Sequence, residues 1–177
     1  MSVKVVRCKP NPAGKDNAAP GRATPAQLGA EWCDVKNVGS APLDFSNYRL
    51  YHVAYTNQGS EWAAVVHENV RITGLLLAGQ TMRIHSGIVR DLSVLRLEDR
   101  NGADLHAFTG RDWFIWNNRR NDTAAVWQPA IKQFVDQASY VAPVPGGVVL
   151  IRQGDLLVAD PLGTLLGFSS LAGLGGR

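Results

Sequence analysis

No stretch of this sequence carries apolar residues at helical period over a useful length. Short runs rich in valine, aromatics and threonine come instead, separated at fairly regular spacing by glycine, proline and asparagine. This texture constrains the fold more than any other feature. Short strands with turn residues between them bury themselves as sheets, so the expectation is an all-β protein, and the regular spacing suggests a β-sandwich. The 18 Gly and 9 Pro among 177 residues act in the same direction, since both interrupt helices and supply turns. With 45% hydrophobic and 19% charged residues, the chain can bury a core without metal or disulfide staples.

Val3 to Cys8 reads as an opening strand that runs into Pro10-Asn11-Pro12-Ala13-Gly14, and the Ala-, Pro- and Gly-rich segment that follows to Ala30 reads as a long surface loop. Glu31 to Val38 alternates, with Cys33 and Val35 on one face and Trp32, Asp34 and Lys36 on the other, the pattern of a half-buried strand. Further strands are expected at Tyr48 to Val53, Trp62 to Val66, Val70 to Thr73, Thr81 to His85, Val94 to Leu97 and Leu105 to Phe108. Three more are expected at Trp113 to Trp116, Thr123 to Trp127 and Lys132 to Tyr140. Asn101-Gly102, the dipeptide preferred by tight hairpins, predicts that Val94 to Leu97 pairs with Leu105 to Phe108. After the Pro/Gly hinge VAPVPGG, GVVLIRQGDLLVAD reads as one more hairpin about Gln153-Gly154. The remainder, PLGTLLGFSSLAGLGGR, is an apolar-glycine tail without charge until its last residue. A boundary near Ala142 divides the chain into a sandwich over residues 1–140 and an apolar C-terminal hairpin and tail extension over 141–177.

The net charge of +3 and pI near 9.1 are spread along the chain, which permits nucleic acid or an acidic surface as partner without requiring either. Lys4 and Arg7 stand where a signal peptide needs apolar residues, so a cytoplasmic place is the expectation. No run of about 20 apolar residues offers a transmembrane segment, because Arg152, Asp155 and Asp160 break the apolar C-terminal region. Cys8 and Cys33 pair only if their strands are neighbours. Their apolar flanks read as core thiols.

His52, His67, His85 and His106 stand at no ligand spacing and neither Cys has a Cys neighbour, so no metal site is expected and no cofactor is implied. Ser86 and Ser169 lack the sharp Gly-flanked turn of a nucleophile, and the tail glycines lack a phosphate-binding Lys. A catalytic role is therefore not expected. The stretch WNNRRNDTAAVW offers Asn117, Asn118, Asn121 and Asp122, but one carboxylate beside two arginines is a poor calcium set. Binding fits it better: Arg111, Arg119 and Arg120 flank Trp113 and Trp116, the composition of an interface hot spot or a nucleic-acid stacking platform. These five residues form the candidate binding set. Strand alternation in WFIW sends Trp113 with Ile115 to one face and Phe114 with Trp116 to the other, so one tryptophan at most points inward. The amides and Asp122 read as turn chemistry, and Glu31, Asn37, Asp44 and Ser46 as turn and strand-edge hydrogen bonding without further function. Arg119 and Arg120 are not needed by a turn.

The succession GAEWCDVKNVGSAPLDFSNYRL (Glu31 to Ser46 above all), LLLAGQTMRIHSG (Leu76 to Gly79), Trp116-Asn117-Asn118, Asp122-Thr123-Ala124 and Val135-Asp136 with Tyr140 resembles the lamin tail domain family in its bacterial form. The resemblance covers roughly Val3 to Tyr140. It implies an immunoglobulin-like β-sandwich that serves as a non-enzymatic interaction module. Family members resemble one another in fold more than in partner: some sit beside nucleases or other secreted enzymes, and nuclear lamins use the domain to dock proteins and DNA. The chain departs from the pattern in Arg119-Arg120-Asn121, where the family has a Gly before Asp-Thr-Ala, in a longer region between His85 and Trp113, and in the tail. The functional expectation is protein-protein contact or self-assembly through 141–177, with nucleic-acid binding through the basic, aromatic loop at 111–120 as the alternative.

Overall fold

The computed structural model describes residues 2–14, 22–58, 61–70, 73–88 and 91–161, and over these the chain is all-β. The opening strand β1 (Val3–Lys9) leads through a short helix α1 (Pro25–Gly29) to β2 (Trp32–Asn37) and β3 (Leu43–Asp44). A long pair follows, β4 (Arg49–Gln58) and β5 (Glu61–Val70), then β6 (Leu75–Leu76) and β7 (Thr81–His85). Helix α2 (Leu97–Arg100) precedes β8 (Leu105–Phe108). The chain continues through β9 (Asp122–Gln128), β10 (Gln133–Tyr140), β11 (Leu150–Gln153) and β12 (Leu156–Ala159). Ten strands form one sheet in the order β5-β4-β9-β10-β12-β11-β1-β2-β7-β8, and β3 pairs with β6 apart from it. Neighbours run antiparallel except β10 with β12 and β7 with β8.

The sheet curls so that strands from its two halves share one core. Leu50, Ala124 and Val126 come from β4 and β9, Val3, Val5, Cys33, Val35 and Ile84 from β1, β2 and β7, and all are buried in the same cluster. A bulge between Val5 and Arg7 adds a residue to β1, so Val3 and Val5 face the core at odd positions and Cys8 at an even one. Cys8 and Cys33 are both buried and unbonded to each other.

The hairpin about Gly154 forms as its sequence suggests, with Gly154 at φ +61 in the turn. The sheet order puts it between β10 and β1 as two interior strands. The ladders that hold it are thin: Ser139 opposite Leu156 on one side, Arg7 and Cys8 opposite Ile151 and Leu150 on the other. Side chains reinforce them. Asp136 of β10 accepts from the Val5 amide at 2.7 Å, and Arg152 of β11 binds the same carboxylate at 2.8 and 3.2 Å, so one buried acid ties three strands together. The tail beyond Pro161 lies outside the described residues, as do residues 71–72 of the strand expected at Val70 to Thr73.

Several expectations are corrected. The segment from Val94 to Leu97 is not a strand. A 3-10 turn spans Leu92–Val94, capped where Asp91 accepts from the Ser93 amide at 2.8 Å, and α2 follows with Glu98 and Asp99 in its first turn, where the helix dipole favours acids. Asn101-Gly102 still turns the chain, with Gly102 at φ +84, but β8 then pairs with β7 in parallel. Trp113 to Trp116 is irregular as well, because the Ile115 and Trp116 amides go to a buried carboxylate instead of a ladder. Finally, β2 is buried on both faces, and the loop expected up to Ala30 contains α1, opened by a capping box of Thr24 and Gln27. No helix among the described residues is long and apolar enough to cross a membrane.

Candidate functional site

The segment between β8 and β9, residues 109–121, has no strand of its own and carries all five sequence-nominated binding residues. It is held from below by acids. Glu31, just before β2, is fully buried, and its carboxylate accepts from the Ile115 amide at 2.7 Å, the Trp116 amide at 3.3 Å and the Ser86 hydroxyl. Burial raises its pKa from 4.5 to about 8 even though these three donors favour the ionised form. Asp122, at the start of β9, accepts from the Asn117 amide at 2.9 Å, the Asn117 side chain at 3.2 Å, the Thr123 amide at 2.7 Å and His52 Nδ1 at 2.8 Å. The Tyr140 hydroxyl donates to the Asn117 carbonyl at 2.7 Å. Farther along, the Asn118 carbonyl accepts from the Val144 amide at 3.0 Å and the Asn121 side chain from the Ala142 amide at 2.9 Å. The loop is thus stitched at many points to Glu31 before β2, to β9, to β10 and to the chain after β10, which fixes it on the surface.

This framework separates the nominated residues. Trp116 turns inward and joins the core at 4% exposure, while Trp113 stands out at 51%. One tryptophan of the two points inward, as strand alternation allows, and Trp116 is that one although the segment is not pleated. Arg111 pairs its backbone with Gly87 and lays its guanidinium over the Trp113 ring, 5.3 Å from the centroid. The structure therefore brings Arg111 and Trp113 together as a cation-π pair on the surface. Arg119 and Arg120 are exposed on the far side of the Glu31 anchor in chain order. An exposed indole backed by a fixed cation offers a flat apolar face with positive charge. Such a face suits an aromatic, acidic or phosphate-bearing partner.

Two features were not legible as sites in the sequence. Over the outer face of β2, Arg83 binds Asp34 through Nε and Nη2 at 2.8 and 2.9 Å, Arg7 reaches Asp34 at 2.7 Å, and the Arg83 guanidinium lies 3.6 Å from the Trp32 ring centroid. Beside them Lys9 and the Trp32 indole both donate to Asp99, at 2.6 and 2.9 Å. Arg83 also donates to the Asp99 and Asn101 carbonyls at 3.1 and 2.9 Å and so caps the end of α2. This cluster is structural, since each charge meets its partner within the fold. The second feature is His85, whose Nε2 meets His106 Nδ1 at 2.9 Å, whose ring lies 4.9 Å from that of Phe108 and whose Nδ1 bonds the Gly29 carbonyl at 2.5 Å, its pKa lowered by burial to about 3. It stays neutral and acts as packing. Only the i, i+2 placement of Arg83 and His85 on β7, opposite Asp34 and Trp32, signals either feature in advance.

Two further surface cavities lie among the described residues. The larger, about 660 Å³, is an open cleft by Pro42, Asp44, Tyr48, Arg49, Gln128 and Pro129. Its charged groups are spent locally: Asp44 accepts from the Ser46 amide at 2.9 Å, which holds its carboxyl below the usual range, and Arg49 donates to the Ser46 and Tyr48 carbonyls at 2.8 and 2.7 Å. The smaller, about 250 Å³, is apolar and lined by Tyr140, Val144, Val148, Leu150 and Leu157. Val141 and Leu156, which also line it, are 73% and 51% exposed. A scan of protein-family models gives none that matches this chain, and a search of curated proteins gives no match either.

Proposed function

We propose that the chain is a non-catalytic interaction module of the lamin tail domain type, with an immunoglobulin-like sandwich as scaffold, acting through protein-protein contact or self-assembly. One observation carries the reading. The polar motif residues behind the family resemblance are consumed by the scaffold. Glu31 and Asp122 hold the 109–121 loop, Asp136 ties three strands, and the Tyr140 hydroxyl goes to the Asn117 carbonyl. The Asn37 side chain donates to the Ala41 and Leu76 carbonyls at 2.8 and 2.9 Å and accepts from the Gly39 amide at 2.9 Å. A motif set used up in this way builds a platform, and function then belongs to what the platform exposes. Among the described residues that includes the Arg111–Trp113 pair, Arg119, Arg120 and the apolar Val141 and Leu156.

Solution mass by light scattering tests self-assembly, comparing the full chain with one ending at Pro161. The truncation has to keep β12, because the Asp160 amide still closes onto the Val149 carbonyl at 2.9 Å. A full chain heavier than a monomer and a truncated chain that is monomeric is the expected result. Equal monomeric masses would sink assembly through the tail.

The stacked Arg111–Trp113 pair favours a second reading, single-stranded nucleic-acid binding through 111–120. It requires an affinity that falls steeply with salt and drops in the Arg119→Ala, Arg120→Ala double variant. Absence of any gel shift at low salt removes it.

A further inference from the structure

We propose that Cys8 and Cys33 form a cross-strand disulfide at the base of the 10–31 segment, made as the chain folds by exchange with a low-molecular-weight disulfide. This goes beyond the interaction role and is independent of it. The two residues stand directly opposite each other in the β1–β2 ladder. On the other side of β2, the Asn37 amide donates to the Gln80 carbonyl at 2.9 Å and the Ser86 amide to the Glu31 carbonyl at 2.9 Å. The odd-numbered residues of β2 therefore direct their backbone groups to β7, and the even-numbered ones face β1, as the Val38 amide does in bonding the Ser2 carbonyl at 2.8 Å. Cys33 is odd, so Cys8 and Cys33 make a non-hydrogen-bonded pair. Side chains approach most closely in such pairs, with Cα atoms about 4.5 Å apart, inside the range of about 4.4–6.8 Å that a disulfide spans.

The bulge in β1 makes this pairing possible. Val3 opposes Asn37 and Val5 opposes Val35, and the same register continued would set Arg7 against Cys33. The extra residue between Val5 and Arg7 brings Cys8 there instead and turns both sulfurs into the core, each with 0% exposure. The segment that the bond would close is the long Ala-, Pro- and Gly-rich stretch between β1 and β2. A crosslink at its base removes loop-closure entropy from the unfolded ensemble, where this stretch is most costly to order.

Exchange takes two steps. One cysteine thiolate attacks a sulfur of an oxidised glutathione, breaking its S–S bond and releasing one glutathione thiolate. The second cysteine sulfur then attacks the mixed disulfide, forming the Cys8–Cys33 bond and releasing the other. Two cysteine thiols are oxidised, one glutathione disulfide is reduced, and the two protons pass to the released thiolates. Both sulfurs are fully buried and burial also pushes the Cys8 thiol well above its ordinary pKa, so the folded pair is out of reach of a soluble disulfide and exchange belongs to folding.

The test is to unfold the reduced full chain in guanidinium and refold it with oxidised and reduced glutathione, reading intact mass, free thiols in denaturant and a non-reduced peptide map. Loss of two hydrogens per chain, a Cys8–Cys33 linked peptide and a higher urea midpoint than the reduced form are expected. The already folded, reduced chain in the same buffer should oxidise more slowly by an order of magnitude or more. Two retained thiols, glutathione left on either cysteine, or a lower urea midpoint for the oxidised form would overturn the pairing. Equal rates for folded and refolding chains would overturn its timing.

Discussion

The two faces of β2 are buried to the same degree and held by opposite physics. On the inner face Cys33 and Val35 pack with Val5, Cys8, Met82 and Ile84, and nothing there needs a partner beyond close packing. On the outer face Trp32 and Asp34, equally hidden, lie under Arg83, Lys9 and Asp99, which are 1–3% exposed. That face is stable only as a complete set, because a buried charge without its counter-charge costs several kcal/mol, on the order of the whole stability of a domain. Burial on this strand says how tightly a residue is enclosed. Its chemistry says how the structure fails when a neighbour is lost.

The largest test removes the hub of the polar face. Arg83→Met leaves Asp34 with only half-exposed Arg7 and uncovers the carbonyls at the end of α2, and a loss of about 3–5 kcal/mol in urea unfolding is expected. Ile84→Val, on the apolar face of the same strand pair, should cost about 1 kcal/mol. Adding Asp34→Leu to Arg83→Met should restore part of the loss, since it removes the stranded acid. An Arg83→Met chain as stable as the Ile84→Val chain would break the comparison.

A test of similar size concerns pH and the acid at the junction of the two faces. Glu31 has a folded pKa of about 8 against 4.5 in the ordinary state, so the folded chain holds the proton more tightly. Its contribution is complete below pH 4.5 and is lost as pH rises to about 8, on the order of 5 kcal/mol over that span. His85 acts in the other direction, with a folded pKa of about 3 against 6.5: its contribution is present above 6.5 and lost as pH falls toward 3. These two groups place the stability maximum between pH 4.5 and 6.5. Urea midpoints measured from pH 4 to 9 should fall on the alkaline side for the native chain and flatten in Glu31→Gln. An unchanged alkaline slope in that variant would remove Glu31 as its cause.

The smallest stability effect is expected where both faces give way to solvent. Trp113→Ala should shift stability by less than about 0.5 kcal/mol while weakening whatever partner the Arg111–Trp113 face binds. A loss of stability as large as that of Ile84→Val would reassign Trp113 to packing.

Much of this was legible locally. Thr81–His85 and Leu105–Phe108 have the bounds expected from their composition, and the hairpin about Gly154 follows from its turn residues. The 94–97 segment misled because its apolar residues Val94, Leu95 and Leu97 suggest a strand, while Asp91, Glu98 and Asp99 carry the helical signals that prevail. The 109–121 loop could be nominated from its arginines and tryptophans. Which of them would face outward could not, because that depends on Glu31 and Asp122, and the Glu31 carboxylate is brought to the loop only by folding.

By itself the sequence determined what is short-range: the strand character of most segments, turn positions, and the pairing of β11 with β12 across the turn at Gly154, since these follow from propensities and backbone preferences of adjacent residues. Only the tertiary structure decided that β11 and β12 lie between β10 and β1, that Asp34 is buried under Arg83, and that Trp116 packs inward while Trp113 does not. Each of those depends on a partner far along the chain. No local pattern encodes the free energy of meeting it.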